Sequence, residues 1–558
     1  MNKYVLILLL LCPWLHAQEV QKDSYVSPFD FPLLLSANFG ELRSNHFHGG
    51  LDFKTKGVEN QPVHSIADGY VSRISISTGG YGNALYVTHE DGTLAVYGHL
   101  NKFEPAIADY VEQYQYEHET FVVDIACTPE QFPVKQGQRI ALSGNTGYSF
   151  GPHLHLEIRR ADTSEAIDPL PYYKGQIKDT RAPRAQKITF YPYKGCGVVD
   201  SCIQKKTFPV ATPDKRNCLN KVVYAWGKIG MGITANDYMD GTTNTYGVRK
   251  VTLYQDTVQI FQSIIDFFPM AENRVINAWT DYAEYVLHNR WVMKSFLIPG
   301  NTLPMFSTGT DNGWITVDEE RDYPFMYELE DLHGNCSRYR FVVRGKRMEI
   351  PEVQMAGRRH LDCNRPNVVQ EAGMQLLLPR GVLYEDVDLF TKVSPDTSGV
   401  SLTYTIHDEP LPFHSGCELQ LGVRHPVEAD SAKYYIQRRV GKKYVSAGGV
   451  YAGGWVKTEI RQGGIYRVGI DKEAPVLTPM KNSSPRIFRY RVCDEGTGIK
   501  SLRGTIDGQF ALVAFSAKNG VMTCELDRKR IAPGKHQFEL SVTDYAGNVS
   551  TVSRIINL

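Results

Sequence analysis

The sequence predicts a mainly β protein, an antiparallel β-sheet domain followed by β-sandwich domains. Three observations carry that prediction. Short stretches with a two-residue apolar period recur, as in 70–77, where Ile74 and Ile76 oppose Arg73 and Ser75. Turn signals rich in Gly, Asp and Asn separate these stretches at short intervals. A long-range repeat is also visible. Asp179-Thr180-Arg181-Ala182-Pro183 is echoed by Asp471-Lys472-Glu473-Ala474-Pro475, and Asp331-Leu332-His333-Gly334-Asn335 by Asp544-Tyr545-Ala546-Gly547-Asn548. Between them, Gly247-Val248 precedes Asp256 by the spacing at which Gly498-Ile499 precedes Asp507. The same turn signals in the same order argue for two related modules, the first carrying insertions.

The chain opens on what reads as a secretory leader over 1–17. Lys3 supplies the positive start, 5–11 the apolar core, and Ala17 a small residue before Gln18. The apolar run is too short to span a bilayer, and no later segment is apolar enough to do so. Cleavage after Ala17 is expected. Lipid anchoring at Cys12 is the alternative, and the bulky Leu11 before it argues against that. Export to the periplasm or cell envelope, or secretion, follows. Of ten cysteines nine remain beyond the leader, and export permits disulfides, but pairing is not legible from sequence. Cys196 and Cys202 are close in sequence, and Cys493 and Cys524 lie in neighbouring strand-like segments. Lys plus Arg number 61 and Asp plus Glu 61, so no positive field holds a polyanion, and nucleic acid is a poor partner.

With 558 residues the chain is too long for one core. The expected division is a first domain over 25–175, a β domain with insertions over 176–348, a β-rich domain over 349–470 and a β-sandwich over 471–558. In the first domain, 85–88 and 93–97 flank Glu90-Asp91-Gly92 as a hairpin. Residues 139–142 and 153–158 are further strands. Gly79, Gly80 and Gly82 mark a tight strand connection, since a phosphate loop would need a following helix. Residues 101–134 read as an insertion beside the β core, helical over 106–119. The final module resembles the immunoglobulin-like domains of exported bacterial proteins, and its repeat partner at 176–348 is expected to be of that kind. The region 349–470 carries no recognisable motif.

The chemistry is concentrated in the first third. His48-Gly49-Gly50-Leu51-Asp52 sets an imidazole and a carboxylate four residues apart, on one face if extended. Tyr97-Gly98-His99-Leu100 ends a strand on a histidine. In Pro152-His153-Leu154-His155-Leu156-Glu157, His153, His155 and Glu157 share one face while the leucines enter the core. A catalytic zinc site wants three imidazole or carboxylate ligands and one open position. The His/Asp pair and one histidine of the alternating strand supply such a set, and two histidines remain to handle protons.

These motifs resemble the lysostaphin/LytM-type zinc endopeptidases, whose signature is His-x-x-x-Asp followed by His-x-His. The resemblance covers about 40–160 and includes 62–71 and the run 144–155. It implies an antiparallel LytM-like peptidase domain with one Zn2+ held by His48, Asp52 and His155. It further implies His99 and His153 as catalytic residues flanking a water on that metal. The implied function is a zinc metalloendopeptidase, a peptidoglycan hydrolase whose substrates are the stem-peptide cross-links. The alternatives are a non-hydrolytic envelope protein that binds wall or activates another hydrolase, and a secreted peptidase cutting glycine-rich bridges. The C-terminal β domains either grip an envelope protein partner or space the enzyme from an anchor.

Neighbouring residues carry plainer expectations. His46, His64 and His89 read as structural, as do Arg43 and Asn45. Glu157 is balanced between a hydrogen bond to the free nitrogen of a ligand histidine and exposure at a strand end.

Overall fold

In a computed structural model, residues 25–353, 355–396, 399–481, 486–526 and 530–557 are described. The expected leader and Cys12 lie outside them. The fold is all-β, as the alternating pattern predicts. Among the described residues no helix is long and apolar enough to cross a membrane.

The first domain is built on one antiparallel sheet. Its main path runs through β1 (Leu35–Ala37), β2 (Leu51–Lys54), β3 (Gly69–Ile76), β4 (Asn83–His89), β5 (Thr93–Leu100), β6 (Val123–Ala126) and β7 (His153–Arg160). Their order across the sheet is β1-β2-β7-β5-β4-β3-β6. β7 is thus central, flanked by β2 and β5, with His155 opposite Asp52 on one side and Gly98 on the other. The alternation of β7 puts Leu154 and Leu156 wholly inside the core. Its other face is left for chemistry. The β4–β5 hairpin turns at the expected Glu90-Asp91-Gly92, where Gly92 takes φ 81°.

The segment 101–134 departs from the reading of an appendage beside the core. It does contain a helix, α1 (Pro105–Glu117), with proline in its first turn and Ile107 and Val111 buried. Downstream of it, however, β6 and residues 133–134 both pair with β3 and extend the main sheet. The exposed side of α1 also receives the last domain. Glu112 and Glu119 pair with Arg530 and Arg503 at 3.2 and 2.7 Å, and Tyr116 meets Phe510 edge-on.

The first two segments share one apolar core. Phe39 and Phe47 pack on Phe268, with ring centroids 5.0 and 5.1 Å apart, and Phe267–Pro269 adds a strand beside Glu165–Ile167. Residues 358–470 form two facing sheets with a core of their own, and 476–557 form two four-stranded sheets around another. The repeat seen in sequence recurs as geometry. Asp256 and Asp507 both take left-handed φ, 53° and 49°, at the tips of matching hairpins. All nine described cysteines are free, Cys196, Cys202, Cys493 and Cys524 among them.

Candidate metal centre

The five singled-out residues converge at one end of the sheet. Asp52 and His155 are paired across β2 and β7. His48 precedes β2, in a loop rather than an extended strand as expected. Its approach depends on Gly49 and Gly50, where an added Cβ would fall 2.7 Å from the Glu157 carboxylate and 2.2 Å from the Leu156 carbonyl oxygen. Only glycine lets this loop lie flat on β7.

Three buried atoms point at a common centre. His48 Nε2 lies 3.0 Å from Asp52 Oδ1 and 3.0 Å from His155 Nδ1, and His155 Nδ1 lies 2.8 Å from Asp52 Oδ1. The far nitrogen of each ring is committed elsewhere. His48 Nδ1 donates to the Asn38 carbonyl at 2.7 Å and His155 Nε2 to Glu157 Oε1 at 2.8 Å. These bonds fix the tautomers so that two ring lone pairs and a carboxylate oxygen face one another. Such a centre needs a positive charge, either a proton or a metal ion. With a proton there, His155 is pushed up to about 9, because its bonds to Asp52 and Glu157 outweigh burial. Two imidazoles and a carboxylate are also the donor set of a divalent zinc-type ion, so the residues fit the implied metal.

Glu157 is itself fully covered. It accepts from His155, from Tyr81 Oη at 2.6 Å and from Arg159 Nε at 2.6 Å. Despite complete burial, these partners hold its carboxyl well below the usual range. The balanced expectation therefore resolves to the buried hydrogen-bonding role. Tyr81, Arg159 and Asn38 went unnoticed in the sequence. Tyr81 and Arg159 carried no motif, and Asn38 acts through its backbone carbonyl.

His99 and His153 stand on the open side. Their ring centroids are 4.8 Å apart, and that of His99 is 5.8 Å from His155. His99 takes φ 60° at the end of β5 and donates through Nδ1 to the Thr146 carbonyl at 2.8 Å. Burial, then the neighbouring histidines, pushes it down to about 3, so it is neutral. His153 Nδ1 bonds the Gly151 carbonyl at 2.8 Å, and its Nε2 lies 3.5 Å from Asp52 Oδ1. The loop before β7 exposes Phe150 fully and Tyr148 largely to solvent.

The neighbours follow expectation. His46 is exposed, though it stands in a two-residue strand paired with Arg43 rather than in a loop, and His64 and His89 bind away from the centre. Arg43 pairs with Glu41, and Asn45 Oδ1 accepts from Asn277.

Residues 46–116 match the family Peptidase family M23, and residues 358–471 match the Zu5-like domain. Residues 46–116 thus lie in an M23 peptidase domain of lysostaphin/LytM type, a metallopeptidase family. A Zu5-like domain occupies the region where the sequence alone showed no motif. Among curated proteins, the chain is 35% identical over 123 residues to an uncharacterized metalloprotease of Haemophilus influenzae, covering 22% of this chain and 20% of that protein. It is 31% identical over 118 residues to the DD-carboxypeptidase/endopeptidase Mpg of Neisseria meningitidis serogroup B, covering 21% of each. Lysostaphin of Staphylococcus simulans is 32% identical over 130 residues, 23% of this chain and 21% of lysostaphin. The match therefore spans about a fifth of the length of these relatives. The solved catalytic domain of that lysostaphin is 28% identical, covering 25% of this chain and 89% of the other, with a TM-score of 0.19.

Proposed function

We propose that the chain is a zinc-dependent endopeptidase that hydrolyses peptide cross-links of bacterial peptidoglycan. The observation that carries this reading is the convergence of His48 Nε2, His155 Nδ1 and Asp52 Oδ1 within 3.0 Å of one another. His48, Asp52 and His155 would hold one zinc ion, which when bound supplies Lewis-acid activation of the scissile amide. Asn38 and Glu157 orient the ligand rings. His99 and His153 are the groups that move protons. Each has Nδ1 tied to a backbone carbonyl, so Nε2 is the nitrogen left for a substrate or water. Neutral at His99, the imidazole keeps an Nε2 lone pair that can accept a hydrogen bond from a water or substrate.

The substrate class rests on the names of Mpg and lysostaphin and on the leader read at 1–17, which together suit a protein exported to the periplasm or envelope. Divided at 25–175, 176–348, 349–470 and 471–558, the chain would carry three β domains after the catalytic one, surfaces suited to an envelope protein partner.

Purified peptidoglycan incubated with the metal-loaded chain, and with Asp52→Ala, tests the proposal. Release of cleaved stem peptides, read by mass spectrometry, is expected from the first and not the second. Equal inertness of both would leave the envelope-binding alternative. Release confined to glycine bridges would change the substrate.

A further inference from the structure

We propose a second divalent-cation site at the joint of the first two domains, formed by Asp179, Asp331 and His333 and taking a first-row metal such as Zn2+ or Mn2+. One ligand atom from each lies within 4.8 Å of the others. Asp179 is 93% buried, and its Oδ2 accepts no hydrogen bond, while its Oδ1 is held by Arg181 N at 2.9 Å. His333 donates Nε2–H to the Ile177 carbonyl at 2.9 Å. That leaves a lone pair on Nδ1, which is also without a partner and lies 3.9 Å from Asp179 Oδ2. Asp331 is oriented by Asn335, whose backbone and side-chain amides reach its two oxygens at 2.9 and 2.7 Å. Asp168 and Asp237 line the same small cavity, together with Asn38 and Phe39 from the first domain. The cavity's one cationic side chain that could neutralise them, Arg249, is spent on Asp266 in two bonds of 2.7 and 2.8 Å. A bare carboxylate oxygen and a bare imidazole nitrogen aimed at one point suit a borderline metal better than Ca2+ or Mg2+.

The last module provides an internal control. Asp471 and Asp544 occupy the repeat positions of Asp179 and Asp331, and Asn548 repeats the bonds of Asn335 to that pair. Each asparagine Nδ2 donates to the first aspartate's carbonyl at 3.2 Å and to the second's carboxylate at 2.7 Å. There, however, Asp471 Oδ2 is filled by Thr497 N and Oγ1 at 2.6 and 2.7 Å. In the first module Tyr246 stands at that position and sends its hydroxyl to the Leu35 carbonyl instead. The counterpart of His333 is Ala546, which is buried and offers no side-chain ligand atom. The last module also brings Asp471, Asp494 and Asp544 within 4.8 Å, but their carboxylates accept from Thr497, Gly498 and Asn548, whereas the first module leaves an acceptor open and adds an imidazole.

The test uses the full chain with His48→Ala, Asp52→Ala and His155→Ala combined, which removes the proposed catalytic centre and keeps the two metal readings separate. Chelator-stripped protein is titrated with Zn2+, and separately with Mn2+, by calorimetry. One equivalent is expected to bind. Adding Asp179→Asn or His333→Gln should weaken it roughly 10- to 100-fold or more, and Asp471→Asn should leave it unchanged. Nitrogen coupling in the electron-spin-echo spectrum of bound Mn2+, recorded on the triple variant alone, reports the imidazole even if the added substitutions fail to fold. No bound equivalent, or binding indifferent to Asp179 and His333, overturns the site and leaves a proton shared between Asp179 and Asp331 as its neutraliser.

Discussion

Lys518 Nζ donates to the Ser149 carbonyl at 3.0 Å across 369 residues of sequence. It also reaches the backbone and side-chain oxygens of Asn145, and next to it Ala517 N donates to the Thr78 carbonyl at 3.0 Å. A turn of the last β-sandwich therefore rests on the loop that leads into His153 and His155. The end of the chain and the candidate centre are mechanically joined.

Lys518→Ala should release that loop. Amide hydrogen exchange over 144–151 is expected to rise while the strands of the first sheet keep their protection. An unchanged pattern would mean that Lys518 does not restrain the loop.

Glu157→Gln tests how the His155 ring is held. The amide keeps the shape but loses the charge that pairs with Arg159 and strengthens the bond from His155 Nε2. Zinc affinity, measured by competition with a chromophoric chelator, is expected to fall roughly 10- to 100-fold. Affinity equal to that of the unmodified chain would argue against zinc ligation by His155.

Gly50→Ala should damage the centre without touching a ligand. The new methyl would meet the Leu156 carbonyl oxygen at 2.2 Å, a backbone atom that cannot swing aside. A loss of stability of about 1–3 kcal/mol, together with weakened metal binding, is expected in denaturant titrations and metal analysis. A fully stable variant with normal metal content would contradict this account of the loop.

Asp168 should give stability a pH slope. Burial pushes its carboxyl up from 3.8 to about 7. Between those values the folded chain keeps a proton that the unfolded chain has lost, so stability falls as pH rises from about 4 to about 7 and is level above. Asp168→Asn retains an acceptor for Leu170 N, now 2.9 Å away, and removes the slope. Compared in metal-free buffer, the variant should gain on the unmodified chain between pH 5 and pH 8, by at most about 3 kcal/mol. A constant difference across that range would show that Asp168 ionises normally.

Much of the first domain was legible because β periodicity is local. The alternation of Leu154 and Leu156 with His153, His155 and Glu157 sufficed to place the leucines inside and the others on a shared face. Glycine and aspartate turn chemistry is equally local, which is why the Glu90-Asp91-Gly92 hairpin and the repeat of Asp256 and Asp507 could be read directly. The segment 101–134 was half legible. Its helix follows from its own residues, but the pairing of Val123–Ala126 with Gly69–Ile76 depends on a partner some fifty positions away.

The sequence by itself determined the all-β class, the order of motifs and the residue types at the candidate centre, since each follows from short-range pattern and side-chain chemistry. Only the tertiary structure decided which groups hold those side chains in place. The Asn38 carbonyl, Tyr81 and Arg159 acquire their roles through contacts between distant strands, and hydrogen-bond satisfaction in a buried space leaves no mark on local sequence. The same holds for Asp179 and His333. Their repeat positions can be read along the chain, but the unpaired oxygen and nitrogen facing each other come from the packing of segments some 150 positions apart.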